Sequence, residues 1–200
     1  MVLTILSDRL LLNNISLKET GLKKMEKSNH YRKQYKHELY PKLDINNHDT
    51  PNGRFYSIPN SDELLPSVTT VLDRTPYFDR TALEKWRKKP GSEQILQQAR
   101  NRGSAVHELL EKYVSNNLEY DYGAMPYNVY SFRGIKDLFD KHAETIYGIE
   151  LPLYSLNLKT AGRSDIILDW NGKKTVFDLK TSRKIKTKEN IPHYFVQATC

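Results

Sequence analysis

Apolar residues recur with three different rhythms along the chain, and the changes of rhythm mark its parts. Over residues 1–60 the pattern is weak and the residues are polar and rich in Asn, Lys and Tyr. Pro41, Pro51, Gly53 and Pro59 punctuate the second half. This stretch reads as an irregular, basic and polar arm with one short helix near Tyr31–Leu39. From Pro66 the period becomes helical. Ser67 stands as an N-cap before Val68, Val71 and Leu72, and Thr81 opens a segment holding Leu83 and Trp86. Arg87, Lys88 and Lys89 followed by Pro90-Gly91 form a helix stop. Residues 92–117 read as a helical stretch interrupted near Gly103, with Val106, Leu109, Leu110, Tyr113 and Val114 on one stripe. Residues 118–130 read as a loop. Phe132–Tyr147 reads as a helix with Ile135, Leu138, Phe139 and Ala143 inward.

Past Gly148 the period shortens to that of strands. Glu150–Leu158, Ala161–Trp170 and Lys173–Thr181 are the expected strands, the last two joined by Asn171-Gly172. That dipeptide is the strongest short hairpin signal, because a type I′ turn needs positive φ at both central positions. Counting back from it sets Trp170 against Lys173, Ile167 against Val176, Asp165 against Asp178 and Arg163 against Lys180. Opposed residues share a face, with Cβ atoms roughly 4.5–5.5 Å apart. Asp178 and Lys180, two residues apart, share it as well.

Two carboxylates forced together beside Ile167 and Val176 call for a shared proton or a bound cation. Oxygen donors favour a hard divalent ion, Mg²⁺ or Mn²⁺, over zinc. In that arrangement Asp165 and Asp178 hold the ion and the Leu179 carbonyl adds a ligand. Lys180 orients a nucleophile or stabilises charge on a phosphodiester in transition. The competing reading is a surface hairpin whose acids pair with Arg163 and Lys180. A bulge would shift the register by one and remove the opposition.

Composition bounds the rest. Two hundred residues suit one domain with an added arm. Hydrophobic content is 38% and mean hydropathy −0.69, low but far from a disordered composition. A net charge of +7 and a pI of about 9.3 favour polyanion partners without choosing nucleic acid over acidic lipid. The single cysteine, Cys200, excludes an internal disulfide framework and a self-contained iron–sulfur or Cys-rich zinc site. No apolar run is long enough to span a bilayer. Asp8 and Arg9 interrupt the short apolar stretch at residues 1–12, and no small-residue cleavage pattern follows.

Taken in order, Gly162-Arg-Ser-Asp165, Phe177-Asp-Leu-Lys-Thr-Ser182 and Gln197 resemble the RecB-like branch of the PD-(D/E)XK nuclease superfamily. Upstream, Arg102-Gly-Ser-Ala-Val-His-Glu-Leu-Leu-Glu111 resembles the helix that carries this branch's metal-binding histidine. Pro66-Ser-Val-Thr-Thr-Val-Leu72 with Trp86 is similar to the start of the mitochondrial genome maintenance exonucleases and their phage relatives. The resemblance covers roughly residues 64–200. It implies an α/β fold (α+β mixed), a restriction-endonuclease-like mixed central sheet flanked by helices over residues 61–200. The activity it implies is Mg²⁺-dependent exonuclease cleavage of single-stranded DNA ends or flaps. That would take place in the cytoplasm of a phage-infected cell or in the mitochondrial matrix.

Residue by residue, the resemblance makes His107, Asp165 and Asp178 metal ligands, Lys180 the catalytic lysine and Gln197 a neighbour of the active site. Glu150 falls where such proteins often carry a strand glutamate. Glu111, four residues after His107, reads as a supporting residue or a structural ion pair. Arg102, Arg163, Thr181 and Ser182 flank the motifs as candidate DNA contacts. The family's last motif continues to a tyrosine four residues after the glutamine, one position past Cys200, so a truncated final helix and missing later strands are expected. A structure-specific endonuclease and a non-catalytic nucleic-acid-binding module on the same fold are the alternatives.

Overall fold

The computed structural model describes residues 2–7, 10–12, 33–118, 123–182 and 187–200, with 2–7 and 10–12 described by backbone alone. In chain order the strands are β1 (Val2–Ser7), β2 (Leu10–Leu12), β3 (Lys36–His37), β4 (Asn46–Thr50), β5 (Gly53–Ser57) and β6 (Leu64–Pro66). Helices α1 (Val68–Arg74), α2 (Thr81–Arg87), α3 (Ser92–Val114) and α4 (Pro126–His142) follow. Then come β7 (Ala143–Ser155), β8 (Thr160–Trp170), β9 (Lys173–Lys180) and α5 (Pro192–Thr199). A six-stranded sheet runs β2-β1-β9-β8-β7-β3, and a three-stranded sheet runs β4-β5-β6. The large sheet is mixed: β3 pairs β7 in parallel and every other neighbour is antiparallel. The fold is therefore mixed α and β, as the sequence implies. Among the described residues no helix is long and apolar enough to cross a membrane.

The core forms where the stripe of α3 meets α4 and one face of the sheet. Val106, Leu109, Leu110, Tyr113 and Val114 pack with Phe132, Ile135 and Phe139 on Ile166, Leu168, Trp170, Phe177 and Leu179. Phe139 sets its edge on Phe177 (4.8 Å, 82°) and on Trp170 (5.5 Å, 79°), the geometry aromatic rings prefer over face-to-face stacking. A smaller cluster of Tyr56, Ile58, Leu65 and Ala161 joins the three-stranded sheet to β8. Ser67 caps α1 by accepting the Thr70 amide at 3.0 Å.

The hairpin forms in the expected register. Asn171 and Gly172 have φ of 52° and 72°, and the ladder pairs Trp170 with Lys173 through Ile166 with Phe177. Beyond that pair the strands part. β9 takes β1 along its other edge (Leu3↔Leu179, Val2↔Lys180), and Ser67 bridges to Ala161 of β8. Arg163 consequently does not face Lys180 as the count predicts; it bonds Glu150 at 3.2 Å.

Four local expectations change. The segment expected as an irregular arm carries strands β1–β5, and in place of a helix near Tyr31–Leu39 the described part is extended around β3. Tyr35 anchors it, 4% exposed and edge-on to Tyr113 at 5.5 Å, so burial of one aromatic ring overrides weak local preference. Helix α4 starts earlier than expected, inside the predicted loop, because Pro126 occupies its first turn, where the missing N–H costs nothing. It also ends earlier, at His142. The following Thr145-Ile146-Tyr147 are β-formers, and Ala143 and Ile146 are wholly buried in β7, which turns at residues 156–159 instead of running to Leu158. Finally, α3 passes unbroken through Gly103. A Cβ there would lie 3.3 Å from Thr181 Oγ1, so the glycine serves close approach of the helix to the end of β9.

Candidate metal and catalytic site

Three neighbouring strands bring their acids to one row. Asp165 lies one step beyond the last β8–β9 pair, next to Asp178 of β9. On its other side Glu150 of β7 sits between the pairs Ile149↔Ile166 and Leu151↔Ser164, a place the ladder skips. Glu150 has φ of +48°, a left-handed conformation that non-glycine residues adopt at a cost of about 1–3 kcal/mol and that concentrates at functional sites. From the helical side α3 contributes His107. Ligand atoms of His107, Glu150 and Asp165 all lie within 4.8 Å of one another.

The hydrogen bonds around His107 fix its chemistry. Its Nε2 lies 2.7 Å from the carbonyl oxygen of Leu179. A carbonyl only accepts, so Nε2 carries a proton and donates. In the neutral ring Nδ1 is then a bare lone pair, and it lies 3.5 Å from Asp165 Oδ2. Ligating histidines commonly anchor their other ring N–H on a backbone carbonyl in this way. Asp165 Oδ2 is itself held, accepting the Leu179 amide at 2.7 Å. Leu179 thus orients both donors through its backbone. Its carbonyl, expected as a ligand, accepts from the histidine.

Asp178 stands apart from this trio. Its Oδ1 accepts from Lys180 Nζ at 2.6 Å, both side chains being mostly buried. The proximity of the acids registers electrostatically. Burial first, and then the charge of Asp178, push Asp165 above its ordinary carboxylate pKa. Burial, and then Glu150, do the same to Glu111. Glu111 is thus a half-buried carboxyl on α3 near the other acids, and no ion pair is formed at it among the described residues.

Among the described residues His107, Glu150 and Asp165 form a group that could hold a metal ion. His107 Nδ1 and Asp165 Oδ2 are 3.5 Å apart, and one ligand atom from each of the three residues lies within 4.8 Å of the other two. The two carboxylates offer oxygen donors and the imidazole a nitrogen donor.

Asp165, Asp178, Lys180, Glu150 and Gln197 open onto one cavity of about 580 Å³. Helix α5 brings Gln197 to it, and Arg163 lines it too. Arg102, Glu111, Thr181 and Ser182 do not line it, although Thr181 packs by Gly103 close to Lys180. Sequence reasoning placed Glu150 only by resemblance. Neither its opposition to Asp165 nor its backbone conformation can be read from local pattern, since both depend on irregular pairing early in β7. The cavity's far wall, with Arg54, Tyr56 and Thr69, also escaped it. No sequence signal marks Arg54 and Tyr56, because a separate sheet carries them to the site, whereas Thr69 lies on α1 within the Pro66–Leu72 motif. Comparisons with protein-family models, with curated proteins and with solved structures returned no match.

Proposed function

We propose that the chain is a divalent-cation-dependent deoxyribonuclease of the RecB-like PD-(D/E)XK type, acting on single-stranded DNA ends or flaps in replication, recombination or repair. The observation that carries this reading is the convergence of His107, Glu150 and Asp165 within 4.8 Å, with Glu150, Asp165 and the Lys180–Asp178 pair lining a single cavity. His107, Glu150 and Asp165 would hold the cation, Mg²⁺ or Mn²⁺, with Asp178 able to join them. Bound there, it supplies Lewis-acid polarisation of a phosphodiester oxygen and a water of lowered pKa.

The protein's own groups do the rest. Lys180, held by Asp178, places a positive charge where the attacked phosphate gains negative charge. Gln197 offers an amide donor and acceptor in the same cavity as Lys180, suited to orienting a water or a phosphate oxygen. Leu179 fixes His107 and Asp165 through its backbone, so these donors are preorganised before any ligand arrives. The surplus of seven positive charges favours a polyanionic substrate. This reading places the protein with DNA, in the cytoplasm of a phage-infected cell or in the mitochondrial matrix.

The test is degradation of end-labelled linear and circular single-stranded DNA with Mg²⁺ or with EDTA, by wild type and Lys180→Ala. Loss of the linear strand alone, abolished by EDTA and by the substitution, is expected. Degradation that survives EDTA overturns the reading, and cutting of the circle replaces exonuclease by endonuclease action.

A further inference from the structure

The cavity extends well beyond the groups that the hydrolytic reading uses. Its volume of about 580 Å³ lies within the roughly 300–1,000 Å³ usual for small-ligand sites, whereas a cation and its waters need far less. One end holds Asp165, Asp178 and Lys180; the other holds Tyr154, Tyr56 and Arg54. Tyr154 of β7 pairs with Ala161, four residues along β8 from Asp165. At the rise of a strand that separation is about 13 Å. Tyr154 is 36% exposed, so a good part of its ring is open, while Tyr56 behind it is buried. Arg54 is anchored by Asp49 through Nε (2.8 Å) and Nη2 (3.2 Å), which leaves Nη1 hydrogens uncommitted to that carboxylate. Arg163 stands between the two ends, tethered to Glu150.

An anion-handling end, a linking cation and an aromatic end in one cavity match a single kind of molecule. We infer that this cavity is a deoxynucleotide subsite, in which the phosphate lies at the Lys180 end and the base lies against Tyr154, with Arg54 at its rim. The inference rests on the nuclease reading for which end the phosphate takes, and it deepens that reading: the cavity holds the nucleotide adjoining the cleaved bond and retains it after release. Paired bases cannot lie against a ring inside a cavity of this size, so the subsite selects unpaired ends. Stacking of a base on an aromatic ring is sequence-tolerant, so all four bases are accepted.

The test measures binding of deoxyadenosine 5′-monophosphate by calorimetry in the presence of Ca²⁺, with Mn²⁺ binding measured separately and circular dichroism as a check of fold. Expected are binding by wild type, retention in Tyr154→Phe, and a loss of about tenfold or more in Tyr154→Ala with Mn²⁺ affinity unchanged. In the DNA degradation assay the same nucleotide should inhibit wild type more strongly than Tyr154→Ala. Equal nucleotide affinity in folded Tyr154→Ala and wild type overturns the subsite, as does absence of binding by a protein that degrades DNA. Tyr154-dependent binding by a protein that hydrolyses no DNA sustains the subsite while the hydrolytic reading fails.

Discussion

His107 donates through Nε2 to the carbonyl of Leu179 at 2.7 Å, while the amide of the same leucine is held by Asp165. One peptide segment of β9 therefore sets the tautomer of the imidazole and the position of the carboxylate that faces it. Replacing His107 by Ala removes a proposed cation donor and its hydrogen bond from α3 to β9. Mn²⁺ affinity should fall at least tenfold, since loss even of an outer-shell partner costs about 10–100-fold. Stability should fall by about 1 kcal/mol for the lost hydrogen bond. Calorimetric titration and thermal melting separate the two effects; unchanged Mn²⁺ affinity in a folded variant removes His107 from the site.

The raised carboxyls make stability depend on pH in a defined direction. For Asp165 and Glu111 the folded state holds its proton more tightly than the unfolded chain does. Their contribution is full below the unfolded carboxylate value of about 4 and is lost as pH rises through the raised folded value. Without cation, the melting temperature should fall over the range just above pH 4, against the trend of other carboxylates. Mn²⁺ should restore it increasingly with pH. Asp165→Asn keeps an oxygen to accept the Leu179 amide and removes the charge. It should flatten the slope, raise stability at neutral pH and abolish cleavage. A steeper slope in Asp165→Asn would contradict the burial of that charge.

Glu150 trades stability for position. Glycine adopts φ of +48° without the penalty a glutamate carries, and its introduction also removes one of the clustered acids. Glu150→Gly should therefore melt higher, by the equivalent of about 1 kcal/mol, while binding Mn²⁺ at least tenfold more weakly. A variant that melts lower shows that the Arg163 contact outweighs the backbone strain.

Lys180 and Asp178 can be separated by substitution. Lys180→Ala should lower cleavage by about 10²–10³-fold, as loss of one preorganised group at a developing charge does. Its Mn²⁺ affinity should stay level or rise, because the freed Asp178 carboxylate becomes available to the cation. Weaker Mn²⁺ binding would mean that the lysine supports the donors and not the reaction.

What could be read from the sequence follows from locality. Asn171-Gly172 determines a turn, the turn determines a register, and the register carries from Trp170–Lys173 to Ile166–Phe177. The α3 stripe and the Ser67 cap are equally local, and each is present. The register failed beyond Ile166–Phe177, where the β8–β9 ladder ends and Arg163 bonds Glu150. Glycine at position 103 looked like a helix breaker because its reason lies 3.3 Å away on Thr181, not in its neighbours. The segment before Pro66 hid β3 because the partner of Tyr35, Tyr113, is remote in the chain, and hid β4 because its five residues are polar and exposed although it pairs with β5 across only two residues.

The pairing of β1 with β9 has a bearing on how the protein reaches its working state. Among the described residues Val2 and Lys180 are very distant partners in the chain, yet their pairing lines the strand that bears Asp178 and Lys180. Closing a loop of that length costs little more at equilibrium than closing a moderate one, because the entropy grows only with the logarithm of length. The rate is another matter, since widely separated contacts form slowly. The β8–β9 hairpin, by contrast, is joined by two residues and can form early. On refolding, burial of Trp170 should thus precede the return of a competent site, and the interval between them is the docking time of a single strand.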